Sequence, residues 1–473
     1  FWLKFSASMS ASGDGEKGLL KSCRKGATGG SFVACGPCTE ELYLESFEAT
    51  TRKVKEDLSV CGDAALSMVS VPSPPRHHRH RATFAVRALQ AGEQPKWGKK
   101  WQIPIPSEPT AWVHCGWEND ECIPVDPKQA MHLSEHILGA MRGCEEFVRV
   151  GARESDDPSE VLGRNLRGAA YHSTLAGDVL ITLVYQETRV ARDSGGRPLR
   201  DAPEDERDGR WREAARALRR ALLASGVVSE LQAVNIVGRW RAKRLAEARD
   251  YAVERFPIGG RDVVLQQPES QFSNPNGPLE VKTLQYIWDQ VETLFGASSQ
   301  ERRLLELYCG NGNNLIALAP LFVEAVGVEI NRVLVTCCER NIELNGLHGK
   351  CTVIRSSAEQ YCGARAETEP RRKRQKVEIS LEEEQEPAER GVDMSRFDVV
   401  LVDPPRAGLD AVTREVVSTA KNLFYISCNP QALARDISES LLKTHEACSF
   451  AFFDHFPYTG GHAEVVARLR LRA

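Results

Sequence analysis

Beyond residue 276 the hydrophobic positions alternate strictly between two periods. Residues 279–295 repeat apolar side chains at helical spacing, and 304–307 form an apolar run that enters a turn containing Gly310 and Gly312. Residues 315–318 continue as a helix, and 325–328 form a second apolar run ending in Glu329. A helix is predicted over 332–345, and strands over 351–355, 397–402, 423–427, 448–453 and 464–469. Short apolar runs joined by amphipathic helices are what an open, mainly parallel sheet covered on both faces requires. The fold class is therefore α/β, with ligands expected beyond the carboxyl ends of the strands.

The earlier chain lacks that regularity. Helical spacing over 40–58, 130–148 and 211–223 is mixed with strands over 82–87, 178–185 and 233–238, which predicts an α+β domain spanning 40–265. Residues 266–473 form the second domain. Residues 1–39 are a small, polar, Gly/Ser-rich leader, expected to be disordered, that ends in a Cys35-Gly36-Pro37-Cys38 pair. Residues 192–209 are expected to be a surface insertion, and 363–394 a charged, low-complexity one.

Composition adds limits. The chain has 473 residues, 42% hydrophobic and 27% charged, which suits more than one soluble domain. The formal charge of −4 does not advertise nucleic-acid binding, although 76–87 and 210–249 are locally basic. No apolar run is long enough to cross a bilayer, so no membrane partner is expected. The 14 cysteines are scattered rather than set in a dense framework, which favours free thiols in a reducing, intracellular compartment.

Chemistry enters at the strand ends. A glycine turn between strand and helix offers backbone N–H groups to a ligand, and an acid at the tip of the next strand suits a ribose diol. Asp403-Pro404-Pro405 closes a neighbouring strand in a rigid lip. Cys428 follows another strand and precedes a helix opening at Asn429-Pro430, whose dipole would favour a thiolate.

Four motifs in order carry a resemblance: Leu305-Glu-Leu-Tyr-Cys-Gly-Asn-Gly-Asn313, Val402-Asp-Pro-Pro-Arg-Ala-Gly-Leu-Asp410, Tyr425-Ile-Ser-Cys-Asn-Pro430 and Phe453-Asp-His-Phe-Pro-Tyr-Thr459. Together they resemble the S-adenosylmethionine-dependent RNA uracil-5 methyltransferases, and the last motif is most similar to the tRNA-specific branch. The resemblance implies a Rossmann-like methyltransferase domain preceded by an RNA-binding domain, with S-adenosylmethionine as cofactor and no metal. It implies Cys428 as nucleophile and Glu464 as base, with Asp403 also in the catalytic set. Asn274, Tyr308, Gly310, Gly312, Asn313, Glu329 and Asp403 would line the donor site. The chain departs from the family pattern twice. Asn274 stands where a glutamine is usual, and one extra residue separates Thr459 from Glu464, which leaves His462 as the alternative base.

The implied partner is tRNA, met by a monomer that makes 5-methyluridine in the T-loop. Arg79 and Arg81 are candidates for phosphate contact. An rRNA-directed enzyme and a non-catalytic tRNA-folding chaperone are the competing readings. Cys35 and Cys38 resemble half of a cluster motif, but Cys23 is too distant and a fourth ligand would have to be Cys115, Cys122 or Cys144, so no iron–sulfur cluster is expected. Residues 371–376 read equally as a solvated charge run or as a nuclear import signal. Nucleus, cytoplasm and organelle all stay open.

Overall fold

The computed structural model describes residues 40–89, 111–118, 121–125, 130–151, 158–186, 204–226, 232–296, 301–363, 392–459 and 462–472. In chain order it opens with helices α1 (Glu40–Leu58) and α2 (Asp63–Leu66) and strands β1 (Val69–Val71), β2 (Arg81–Leu89), β3 (Ala111–Glu118) and β4 (Glu121–Pro124). Then come α3 (Glu135–Gly151), α4 (Pro158–Gly163), β5 (Leu166–Ser173), β6 (Asp178–Tyr185), α5 (Glu204–Ala224), β7 (Ala233–Arg239) and β8 (Arg244–Glu247). Strands β2 to β8 make a seven-stranded sheet in the order β4-β3-β2-β5-β6-β7-β8. Every pair in it is antiparallel except β6 with β7, which α5 joins as a crossover. Leu138, Met141, Trp211 and Leu218 from the covering helices bury one face against Phe84, Tyr171, Ile181 and Ile236.

A hairpin follows, β9 (Tyr251–Ile258) and β10 (Arg261–Pro268). The second domain continues as α6 (Gly277–Phe295), β11 (Arg303–Leu307), α7 (Asn313–Leu318), β12 (Glu324–Glu329), α8 (Arg332–Leu344), β13 (Cys351–Arg355) and α9 (Ala358–Gly363). It ends with β14 (Val399–Val402), α10 (Ala411–Val417), β15 (Asn422–Ser427), α11 (Pro430–Glu439), β16 (His445–Phe453) and β17 (Glu464–Leu471). The eight-stranded sheet runs β1-β16-β17-β15-β14-β11-β12-β13 and is parallel save for β17, which is antiparallel to both neighbours.

Buried Leu, Ile, Val and Phe on both faces of these strands explain the continuous apolar runs. One face packs on α6, α7, α8 and the hairpin through Leu284, Ile287, Leu315 and Ile342. Helix α8 also seals the hairpin edge. Asn341 Oδ1 accepts from Gln266 N at 2.7 Å, and Asn345 Oδ1 accepts from Val264 N at 3.0 Å.

Three boundaries need correction. Residues 40–71, expected in the first domain, pack on the second: Val54, Leu58, Ala65 and Met68 join the core under α11, and β1 pairs with β16. Residues 204–209, expected in an insertion, are the first turns of α5, because Trp211, Ala215 and Leu218 need a long helix to span the sheet. The charged insertion ends before Met394, which is 1% exposed and belongs to the core. The leader with Cys35 and Cys38, and the basic run 371–376, lie outside the described residues. Cys115 and Cys144 are buried.

Candidate active site

Sheet topology assembles the catalytic candidates. Strand β14 ends at Val402 and β15 at Ser427, so Asp403 and Cys428 are the first residues beyond two neighbouring carboxyl ends. Strand β17 runs the other way, with Val465 opposite Ser427. Its first residue, Glu464, therefore begins at that same end. Glu464 interacts electrostatically with Asp403 and Glu280, and with Cys428. His462 lies against Phe456 with the rings tilted by 56° and their centroids 5.7 Å apart, and has Arg406 as its charged neighbour.

The charges in this pocket oppose ionisation. Burial, then Glu464 and Asp403, pushes the Cys428 thiol up to about 12, against a smaller lowering by Arg406. Helix α11 starts beside Cys428 with Asn429 as its cap. Burial, with Glu280 beside it, raises Asp403 to about 7. Glu464 is raised well above the carboxylate range by burial, Asp403 and Glu280.

On the donor side the chain turns sharply after β11. Tyr308 takes a left-handed backbone with φ 65°, as does Gly312 with φ 87°. A side chain at Gly312 would meet Cys338 Sγ at 2.7 Å, so glycine is required there. Glu329, at the tip of β12, accepts from Gly310 N at 3.1 Å and from Asn331 N at 2.7 Å. The Tyr308 hydroxyl donates to Asp410 Oδ2 at 3.3 Å. Asn313 Nδ2 donates to Glu280 Oε1. Asn274 Oδ1 accepts from Asn276 N at 3.1 Å and from His455 Nδ1 at 2.8 Å, and its side chain also bonds to Glu280. Glu280 thus ties Asn274 to Asn313, and Glu329 ties the tip of β12 to Gly310.

Glu280 and His455 escaped the sequence reading. Glu280 occupies the first turn of an ordinary amphipathic helix, and only the nearby Asn274 could have flagged it. His455 stood inside a quoted motif without a role.

S-adenosylmethionine carries an adenine, a ribose diol and a sulfonium cation, and the crevice answers each. Gly310 has open space where a side chain would sit. Ile330, next to Glu329, is 63% exposed and offers apolar surface to a flat base. Glu329 suits a diol, and Asp403 and Glu280 present acid to a cation. The residues fit the group. Among the described residues no cluster of His, Cys, Asp or Glu could hold a metal ion.

Arg79 and Arg81 are half-buried, and both hydrogen-bond within the protein. Arg79 Nε donates to Arg81 O at 2.9 Å, while Arg81 Nη1 donates to Gln271 O at 2.6 Å and Ser273 Oγ at 2.9 Å. Burial lowers both guanidinium groups to about 10.

A parallel sheet with one reversed strand, a glycine turn after β11 and an acid at the tip of β12 define a Rossmann-like methyltransferase. The family profile described as tRNA (Uracil-5-)-methyltransferase matches residues 149–470, and the chain belongs to that family. The tRNA/tmRNA (uracil-C(5))-methyltransferase of Aromatoleum aromaticum is 32% identical over 82% of this chain and 85% of its own length. Its counterpart in Chromohalobacter salexigens is 31% identical over 92% and 96%. The solved Pyrococcus abyssi tRNA (uracil-54, C5)-methyltransferase in complex with S-adenosyl-L-homocysteine is similar in fold. Its TM-score is 0.54 at 19% identity, covering 91% of this chain and 85% of that one.

Proposed function

We propose that this protein methylates carbon 5 of a uridine in the tRNA T-loop, with S-adenosylmethionine as methyl donor. The observation that carries the reading is the convergence of Cys428, Asp403 and Glu464 on one sheet end beside the donor turn. Family membership and the tRNA-directed relatives support the substrate. One chain holds every residue invoked, which supports a monomer as the acting unit. No helix among the described residues is long and apolar enough to cross a membrane.

Carbon 5 of uracil is a weak nucleophile until a group adds at carbon 6. The base must first leave its stack, as for any enzyme that reacts on a paired or stacked base. Cys428 Sγ then bonds to carbon 6 and surrenders its proton to a facing carboxylate, which makes carbon 5 electron-rich. The donor, when bound, supplies a methyl group on a cationic sulfur. Asp403 and Glu280 would present acid to that cation, and Glu329 would hold the ribose. After methylation, Glu464 removes the carbon-5 proton, and the electron pair left behind expels Cys428 Sγ.

Incubation of tRNA and rRNA with protein and S-adenosylmethionine, followed by nucleoside mass spectrometry, tests the proposal. The expected result is 5-methyluridine in tRNA. Methylation confined to rRNA, or none with refolding of tRNA intact, would replace this reading with one of its competitors.

A further inference from the structure

Asn274 has a side chain one carbon shorter than the glutamine usual at its place, yet its amide oxygen is held from two sides. Asn276 N donates to Asn274 Oδ1 at 3.1 Å. A backbone N–H can only donate, so the atom facing it is the oxygen, and Nδ2 is turned the other way, toward Glu280. The same oxygen lies 2.8 Å from His455 Nδ1. An amide oxygen has nothing to donate, so the hydrogen of that contact belongs to Nδ1.

His455 stands just past the end of β16, at Phe453, and is 1% exposed. Burial lowers its ring to about 3, so at neutral pH it carries a single ring hydrogen, and Nε2 must accept. Thr283 Oγ1, on α6, lies 2.9 Å from Nε2 and 3.0 Å from Leu279 O. Its one proton turns to the ring nitrogen, which has no hydrogen of its own. The hydrogen bonds therefore run in one direction, from Thr283 to His455 to Asn274. The His455 carbonyl holds the same segment a second time, accepting from Asn276 Nδ2 at 3.4 Å. A flipped Asn274 amide would set its NH2 against two N–H donors, those of Asn276 and His455, and both contacts would be lost.

We propose that His455 is a positioning residue of the donor site: backed by Thr283, it holds the short amide of Asn274 with its NH2 turned into the crevice. It thereby takes over the reach that a glutamine would supply. The inference rests on the reading of Asn274 as a donor-site residue. Two consequences follow from the geometry. Asn274 can offer a ligand only a donor, so the atom of S-adenosylmethionine that it meets is an acceptor. His455 also matters only while residue 274 is short, because the amide of a glutamine starts one carbon further out, past the atom that His455 grips.

The test is a double-mutant comparison on the full chain. Calorimetry gives the affinity for S-adenosylhomocysteine, and steady-state methylation gives KM for the donor and for tRNA. The amide of His455→Gln reaches the Nε2 position beside Thr283 and leaves Asn274 Oδ1 without its second bond. It should weaken S-adenosylhomocysteine binding about threefold to tenfold, the scale of one net hydrogen bond. KM for the donor should rise by a similar factor, while KM for tRNA stays within about twofold. In Asn274→Gln the same change at 455 should cost less than about twofold, because the two residues no longer meet. His455→Asn, whose amide nitrogen stands near the Nδ1 position and still donates to Asn274, should recover most of the affinity. An equal loss in both backgrounds would show that His455 acts by packing alone, and would overturn the proposal. So would a parallel rise in KM for tRNA, or unaltered affinity in His455→Gln. If that variant does not fold, Thr283→Val removes the hydroxyl behind the ring and is judged by the same comparison. Absence of S-adenosylhomocysteine binding by the native chain would remove the donor-site reading and the inference with it. Binding without coupling between 274 and 455 refutes the inference alone.

Discussion

Cys428 meets two opposing influences: a helix start that favours its anion, and burial beside two acids that opposes it. Burial and the two acids favour the neutral thiol, so Cys428 is expected to hand its proton to a neighbour as it attacks. This separates the roles of Cys428 and Glu464 experimentally. Cys428→Ala should form no covalent adduct with tRNA. Glu464→Gln keeps size and hydrogen bonding but cannot take the carbon-5 proton, so it should stall with methylated tRNA attached, visible on a denaturing gel. Normal turnover by Glu464→Gln, with stalling in His462→Ala, would transfer the role to His462. A second residue gives a pH prediction. Glu306 is 1% exposed, bonded to Asn314 Nδ2 at 3.0 Å, and raised to about 8, chiefly by burial. A carboxyl raised in the folded state contributes stability at low pH and loses it as pH rises through the folded value. Glu306→Gln should therefore gain on the native protein between pH 5 and 9, on the order of 1 to 3 kcal/mol by thermal or denaturant unfolding. A constant difference across that range would show that Glu306 does not titrate there.

Elements differ in how far the sequence declares them. Strands β11, β12, β14 and β15 are buried on both faces, so their apolar runs, and the tips that follow, stand out at once. Cys428, Asp403 and Glu329 could be placed because each directly ends such a run. Glu280 could not, since a helix pattern shows which face is apolar and not what its polar edge meets. The same ambiguity misplaced α1. Amphipathic spacing showed that Val54 and Leu58 are buried, but it carries no information on which of two sheets covers them. The charged insertion raises a related question, because it starts after α9 and returns at Met394, whose side chain is core. Replacing 366–390 with a short Gly/Ser link, Met394 kept, should leave turnover on isolated tRNA within about twofold, as loop length adds little closure entropy. Steady-state rates measure this. A collapse of activity with an unchanged melting temperature would make the insertion part of the tRNA site.

At the scale of the whole molecule, the first domain holds the segment that carries Asn274. Arg81, on β2 of the seven-stranded sheet, donates from Nη1 to Gln271 O at 2.6 Å and Ser273 Oγ at 2.9 Å. His80 N donates to Pro275 O at 2.6 Å. These bonds bracket Asn274, whose amide reaches Glu280 in the crevice. Both bonds come from Nη1, which ties one edge of the guanidinium to the segment around Asn274. Arg81→Met preserves length and apolar bulk but removes both bonds. It should weaken S-adenosylhomocysteine binding about threefold to tenfold, the scale of one lost hydrogen bond near 1 kcal/mol. It should leave the salt dependence of tRNA binding unchanged. A phosphate-binding arginine would behave in the opposite way, with donor affinity unaltered and the slope of log affinity against log salt reduced by about one. Calorimetry for the donor product and filter binding of tRNA at several salt concentrations measure the two arms separately. If only the salt slope moves, Arg81 belongs to the RNA surface, and Asn274 must keep its place without help from the first domain.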